Sequence, residues 1–211
     1  YRLKSVDGYD PLYLLRYGEL IAASERKKAD INPPFGFNRI ITPHNYDSKI
    51  IDLLGVKFVL SLSDLDSPKL KKVFQEGETR IYENLNVIPR AFFVPQILKA
   101  NNNKEAIAIM FKDSFNPNSM VIAENSDKKL QNIELTTGKA NIIYYSENKV
   151  IIETDNSGTG FLVFTDSFYP AWKIKIDSDN LQEKIYRTDY NFRGVIVPAG
   201  KHKIKFYNSL F

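Results

Sequence analysis

Large flat side chains and fixed charges crowd one part of the carboxy-terminal third of this 211-residue chain. Tyr169, Trp172, Tyr186, Tyr190 and Phe192 lie close together in sequence, with Arg187, Asp189 and Arg193 interleaved among them. Aromatic rings stack on the apolar face of a sugar, and charged groups bind its hydroxyls. The set therefore has the chemistry of a shallow platform for a sugar ring or a lipid headgroup. The competing reading is core. Trp172, the only tryptophan, heads the run WKIKID, in which Trp172, Ile174 and Ile176 share one face and Lys173, Lys175 and Asp177 the other. A strand with one dry face buries its rings. The candidate ligand-binding residues are Tyr169, Trp172, Arg187, Asp189, Tyr190 and Arg193; the tyrosines, with polar tips, suit a ligand better than the indole.

Other chemistries find little support. Cysteine is absent, which removes disulfides, thiolate catalysis and Cys-ligated zinc. The two histidines, His44 and His202, have no neighbour at metal-ligand or triad spacing. The turn DSDN (177–180) begins like a calcium loop. Such a loop needs glycine at its sixth position and glutamate at its twelfth, where Gln182 and Thr188 stand. DNSGTG (155–160) joins two strands and opens no helix, so it cannot aim a helix N-terminus at phosphate. No G-x-S-x-G elbow occurs. No catalytic residue, metal or cofactor is assigned on these grounds.

Bulk properties narrow the class further. With 43% hydrophobic and 13% aromatic residues the composition is globular. The net charge of +4 is spread evenly: residues 1–100 hold 15 Lys/Arg against 12 Asp/Glu, and residues 101–211 hold 14 against 13. Only ERKK (25–28) and KLKK (69–72) are locally basic, so a nucleic-acid partner, which requires a concentrated basic face, is not expected. No run of eighteen apolar residues could span a bilayer. The opening YRLKSVDGYD lacks the apolar segment of a signal peptide and reads as part of a longer protein.

The elements that must position these residues fall into two styles. Before Gly138, helix and strand signals alternate. Asp10 and Pro11 mark a helix start, NYDSKIIDLLG a short helix stopped by Gly55 before a strand over 57–61, and SPKLKKVFQEG another cap-then-proline helix. TRIYE, RAFFV and SMVIAE read as strands and NKEAIAIMFKD as a helix, with Asn101–Asn103 in a loop between the halves. After Gly138, seven short apolar or β-branched runs recur between turn residues. The predicted fold is α+β: a mixed α/β region over residues 1–137, then an antiparallel β-sandwich over 138–211.

Taken together, TDSFYPAWKIKID and YRTDYNFRGVIVPAGKHKIKF resemble the closing extracytoplasmic segment of the YfhO family, large bacterial polytopic membrane proteins regarded as glycosyltransferases of the membrane-embedded GT-C type. Asp166, Tyr169, Pro170, Trp172, Asn191, Phe192, Arg193, Val197, Pro198, Ala199, Gly200 and His202 match the family pattern. DGYDPLYLLRYGEL, IIDLLGVKFVL, YENLNVIPRAFFV and FNPNSMVIAE follow it in order. Ala171 departs from a usual glycine, so the corner backbone does not need a positive φ there. Leu85 replaces a frequent proline, and DSDN a shorter Asp-Gly turn. The resemblance implies a domain on the extracytoplasmic side of the cell membrane, attached to the membrane-embedded portion of the same polypeptide. There it would assist a glycan or lipid-linked sugar acceptor, or serve as a structural lid or spacer. In such enzymes the catalytic acid lies in the membrane-embedded region, so no residue here inherits it.

Overall fold

The computed structural model describes residues 4–9, 12–37, 39–124, 130, 133–177 and 183–208. The chain is mostly β, with several antiparallel sheets and a small helical part. It divides into two compact units, Tyr1–Pro89 and Arg90–Phe211.

In the first unit, Gly8–Tyr9 (β1) pairs with Ile40–Ile41 (β2), and helix α1 runs Leu15–Arg26 between them. The helix buries Gly18 to Ser24 and ends at Lys27, whose left-handed backbone (φ 55°) returns its N–H to the carbonyls of Ala23 and Ser24. The expected start at Asp10 and Pro11 lies outside the described residues; the helix itself begins later. Lys49–Leu53 (α2) is short, as its sequence suggests. The Ser48 hydroxyl accepts from the Ile50 N–H at 3.2 Å, and Gly55 (φ 73°) follows the last turn. Phe58–Ser61 (β3), Thr79–Asn84 (β5) and Leu70–Glu76 (β4) then form a three-stranded antiparallel sheet in that spatial order.

Strand β4 corrects the helix expected over SPKLKKVFQEG. Ser67 and Pro68 have the types of a helix start, but the segment pairs with β5 as a strand, with a bulge between Lys72 and Phe74, and Val73 and Phe74 are both exposed. Gly77, at φ 55°, opens the two-residue loop to β5 instead of closing a helix. Lys69 is pulled inward to Asp52 of α2 at 2.6 Å, and Asn84 donates to the same carboxylate oxygen at 2.8 Å. That buried pair holds α2 to the sheet.

The second unit holds two sheets. In one the strands run Ala91–Val94 (β6), Gly160–Phe164 (β11), Phe192–Val197 (β14), Tyr186–Thr188 (β13), Met120–Glu124 (β8) and Gln96–Ala100 (β7), in that order across the sheet. The pair β7–β8 is parallel, with helix Asn103–Met110 (α3) as its crossover. The other sheet has the order Trp172–Ile176 (β12), Gly200–Asn208 (β15), Lys149–Asn156 (β10) and Gly138–Tyr145 (β9), all antiparallel. All seven strands expected after Gly138 are present. One hydrophobic cluster draws on both sheets: Phe93, Leu162, Phe164 and Val195 from the first, Ile152, Ile174, Ile204 and Phe206 from the second. Phe161 and Val163, on the opposite face of β11, enter a second cluster with Val121 and Tyr186, so this strand is buried throughout.

The units therefore meet at 89/90 and not at 137/138. The β-α-β run over 96–124 reads as part of a mixed amino-terminal region, yet β6 and β8 hydrogen-bond to β11 and β13 of the later sheet. That sheet is accordingly not wholly antiparallel. Asn101–Asn103 is not a loop between halves. The Asn102 side chain caps α3 by accepting from the Glu105 N–H at 2.9 Å, and Glu105 accepts in return from the Asn101 N–H at 2.7 Å.

Candidate functional site

The motif residues converge where the connection from β11 to β12 meets the turn from β13 to β14. Two successive left-handed residues, Asp189 (φ 42°) and Tyr190 (φ 73°), make that turn. Asn191 then accepts through its carbonyl from the Phe168 N–H at 2.6 Å and donates from its side chain to the Ser167 hydroxyl at 3.0 Å. Arg193 donates from Nε to the Ser167 carbonyl at 3.1 Å. The β11–β12 connection is thus moulded by the first residues after the turn.

Asp166 is the hub. Its carboxylate accepts from Arg90 Nη2 at 2.5 Å, from the Tyr145 hydroxyl at 3.1 Å and from Arg193 Nη2 at 3.3 Å. The Arg193 side chain is 2% exposed, and its guanidinium carbon lies 3.8 Å from the centroid of Trp172, with Phe164 and Phe206 at 5.2 and 5.6 Å. Burial lowers the Arg193 pKa to about 10, partly opposed by Asp166, so the group stays protonated at neutral pH. The Tyr145 phenol is pushed up by its own burial and by Asp166. Arg90 covers the Tyr145 ring at 4.6 Å. Two cations, one anion and a set of rings form a closed stack.

Asp189 belongs to a separate polar contact. It is fully buried, its Oδ1 accepts from the Ile122 N–H at 2.8 Å, and its own N–H donates to the Ile122 carbonyl at 2.9 Å. Burial raises its pKa to about 7 against the lowering effect of the Ile122 bond. Its Oδ2 has no partner among the described residues.

Of the six candidate binding residues, the structure encloses three: Asp189 and Tyr190 are 0% exposed and Arg193 2%. Trp172 is half-buried beneath Arg193 and packs on the shared core. Tyr169 is 44% exposed, and Arg187 lies over the Phe168 ring at 4.4 Å with part of its side chain open. The surface-facing portion is thus Phe168, Tyr169 and Arg187. Asp166, Arg90 and Tyr145 are not among the six. Asp166 stands out in sequence only through the Thr-Asp that ends the β11 run. Arg90 and Tyr145 carry no local signal, since they reach Asp166 across 76 and 21 positions.

Elsewhere, His202 Nδ1 meets Asp177 Oδ2 at 2.7 Å, and Asp177 Oδ1 accepts from the Lys203 N–H at 2.8 Å. The pair locks the end of β12 to β15. Asp177 takes φ 54° there, while positions 178–180 of its turn lie outside the described residues. Among the described residues no group of three or more His, Asp or Glu side chains is arranged to hold a metal ion, and no helix is long and apolar enough to cross a membrane.

No family model, curated protein or solved structure matches this chain.

Proposed function

We propose that this chain is an extracytoplasmic, non-catalytic domain of a multi-pass membrane protein of the YfhO type, with the two sheets of its second unit forming a β-sandwich. Its corner presents Phe168, Tyr169 and Arg187 to a glycan or lipid-linked sugar acceptor. The observation that carries this reading is the engagement of Asp166. The carboxylate of the motif TDSFYPAW is held by two guanidiniums and a phenol, which suits an anchor for the corner and not a proton donor or acceptor. Arg187 over the Phe168 ring, beside exposed Tyr169, supplies the flat apolar and cationic surface that sugar rings and phosphate-linked sugars take.

The test is saturation-transfer NMR with the full chain and a panel of envelope oligosaccharides. Contacts that vanish in Tyr169→Ala and Arg187→Ala, with the fold retained, support acceptor binding. Absence of contacts at millimolar sugar removes the acceptor role.

A second reading, a structural spacer resting on the membrane-embedded body, is favoured by the enclosure of Asp189, Tyr190 and Arg193. It predicts that the Tyr169 and Arg187 variants leave the function of the parent protein intact, while Trp172→Ala impairs it by destabilising the domain.

A further inference from the structure

We infer that the first unit forms an intramolecular isopeptide bond between the side chains of Lys69 and Asn84, with Asp52 as the proton carrier. This stands independently of the reading given to the aromatic corner. The three groups are buried together: Lys69 and Asp52 are each 7% exposed and Asn84 1%. Lys69 immediately precedes β4, and its carbonyl accepts from the Leu85 N–H at 2.9 Å, which sets it beside the end of β5 where Asn84 lies. Asp52 Oδ1 joins the two side chains. It accepts from Lys69 Nζ at 2.6 Å and from Asn84 Nδ2 at 2.8 Å. Amine and amide nitrogen are therefore no farther apart than those two bonds laid end to end.

The surrounding bonds are those that amide exchange requires. Both Nδ2 hydrogens of Asn84 have acceptors, Asp52 Oδ1 and the Val56 carbonyl at 3.0 Å, so the orientation of the amide is fixed. Its Oδ1 accepts from the Asn86 N–H at 3.0 Å. That N–H stands where an oxyanion develops when the amide carbon is attacked, within the roughly 2.7–3.1 Å of such donors. Lys69 Nζ donates to the Ser48 carbonyl at 3.0 Å and to Asp52, and its third N–H has no partner among the described residues. A lysine must shed a proton before it is a nucleophile. Asp52 touches both nitrogens within roughly 2.6–3.2 Å, the reach of a general acid–base.

The step balances without any other reactant. Lys69 passes one ammonium proton to Asp52, and the neutral amine attacks Cγ of Asn84, forming the new C–N bond. Asp52 returns that proton to the amide nitrogen and takes another from the attacking nitrogen. The Cγ–Nδ2 bond breaks, ammonia leaves, and Asp52 stays protonated beside the new amide. The product replaces a buried ion pair with neutral groups, which removes the desolvation cost of two charges. Asp52 is the poorer acceptor, because a carboxylate resists nucleophiles. The reaction is a single self-modification and not turnover. In a chain without cysteine it closes the open end of the β4–β5 hairpin covalently, as a disulfide would elsewhere.

The experiment is intact-mass spectrometry of the denatured full chain, followed by tandem mass spectrometry of its tryptic digest. The chain should be lighter than its sequence by one ammonia. Trypsin should fail to cut after Lys69, and one branched peptide should join residues 58–71 to residues 81–90. Lys69→Arg and Asn84→Ala should each restore the full mass. Asp52→Asn, which keeps an acceptor for both donors, should restore it too; a bond that still forms there would overturn the role of Asp52. Full mass in the unaltered chain would overturn the inference. So would an ammonia loss with Lys69 still cleaved, the mark of an asparagine that closed on its own backbone. Loss of water would place the bond on Asp52 and overturn the assignment to Asn84. The unaltered chain decides whether the bond exists, so the result does not depend on how the variants fold.

Discussion

The guanidinium of Arg193 lies 3.8 Å from the centre of the Trp172 ring, with its side chain 2% exposed and one arm on Asp166. The indole thus covers a charge that the fold has removed from water, and each residue explains the burial of the other. Trp172→Ala should cost about 3 kcal/mol, the low end for a buried aromatic because the ring is only partly enclosed. A double-mutant cycle with Arg193→Met should give a coupling of about 1–2 kcal/mol. Urea denaturation checks both. Additive losses would mean that the stack contributes nothing beyond its packing.

Asp189 makes stability depend on pH in an unusual direction for a carboxylate. Its folded pKa is raised to about 7, above an unfolded value near 3.8. The contribution of its neutral form is full below the unfolded value and is lost as pH rises through the folded one. Asp189→Asn keeps an acceptor for the Ile122 N–H and cannot ionise. The variant should lose the decline in stability between about pH 4 and pH 7 that this group causes, read as denaturation midpoints across that range. At pH 8 it should be at least as stable as the unaltered chain.

Lys69 and Asp52 form a buried pair in the first unit, 2.6 Å apart, with Asn84 on the same oxygen. Lys69→Ala leaves a buried carboxylate without its cation and should cost about 3–5 kcal/mol. The loss should be visible as faster amide hydrogen exchange across β3, β4 and β5. Exchange confined to its original rate there would show that Asp52 finds water or another donor.

His202 and Asp177 stabilise each other over a limited pH window. The bond to Asp177 raises the His202 pKa above 6.5, and the bonds from His202 and the Lys203 N–H lower that of Asp177 below 3.8. The histidine contribution is full below pH 6.5 and is lost as pH rises through its folded value. The aspartate contribution is present above pH 3.8 and is lost as pH falls through its folded value. An NMR titration of the His202 ring should therefore show a midpoint above 6.5 that returns towards it in Asp177→Asn.

Local chemistry was a good guide wherever a segment's partners are close in sequence. The short helix of NYDSKIIDLLG, its stop near Gly55 and the seven strands after Gly138 are all present. Their turn residues and alternation act within a few positions. The guide failed where a neighbour in space reinterprets the same pattern. Ser67 and Pro68 imitate a helix start, yet Leu70–Glu76 is held as a strand by its pairing with β5. The β-α-β segment looks like a neighbour of the helical region because the pairing of β8 with β13 is invisible from within it. At the candidate site, the residue types of the corner were legible, but which of them face water was not. Tyr190 and Arg193 resemble Tyr169 and Arg187 as letters and differ only in enclosure.

From its sequence alone this protein is committed to a β-rich carboxy-terminal half, to a chain without thiol chemistry, and to an aromatic, charged corner around Trp172. Alternation, turn residues and composition are local or additive properties, so no folded partner is needed to read them. Tertiary structure decided that Asp166 gathers Arg90, Tyr145 and Arg193, that Asp189 is sealed against Ile122, and that Asp52 holds Lys69 and Asn84 together. Those outcomes depend on which strands pair and which side chains lose water, and burial and charge proximity exist only once distant segments have been brought together.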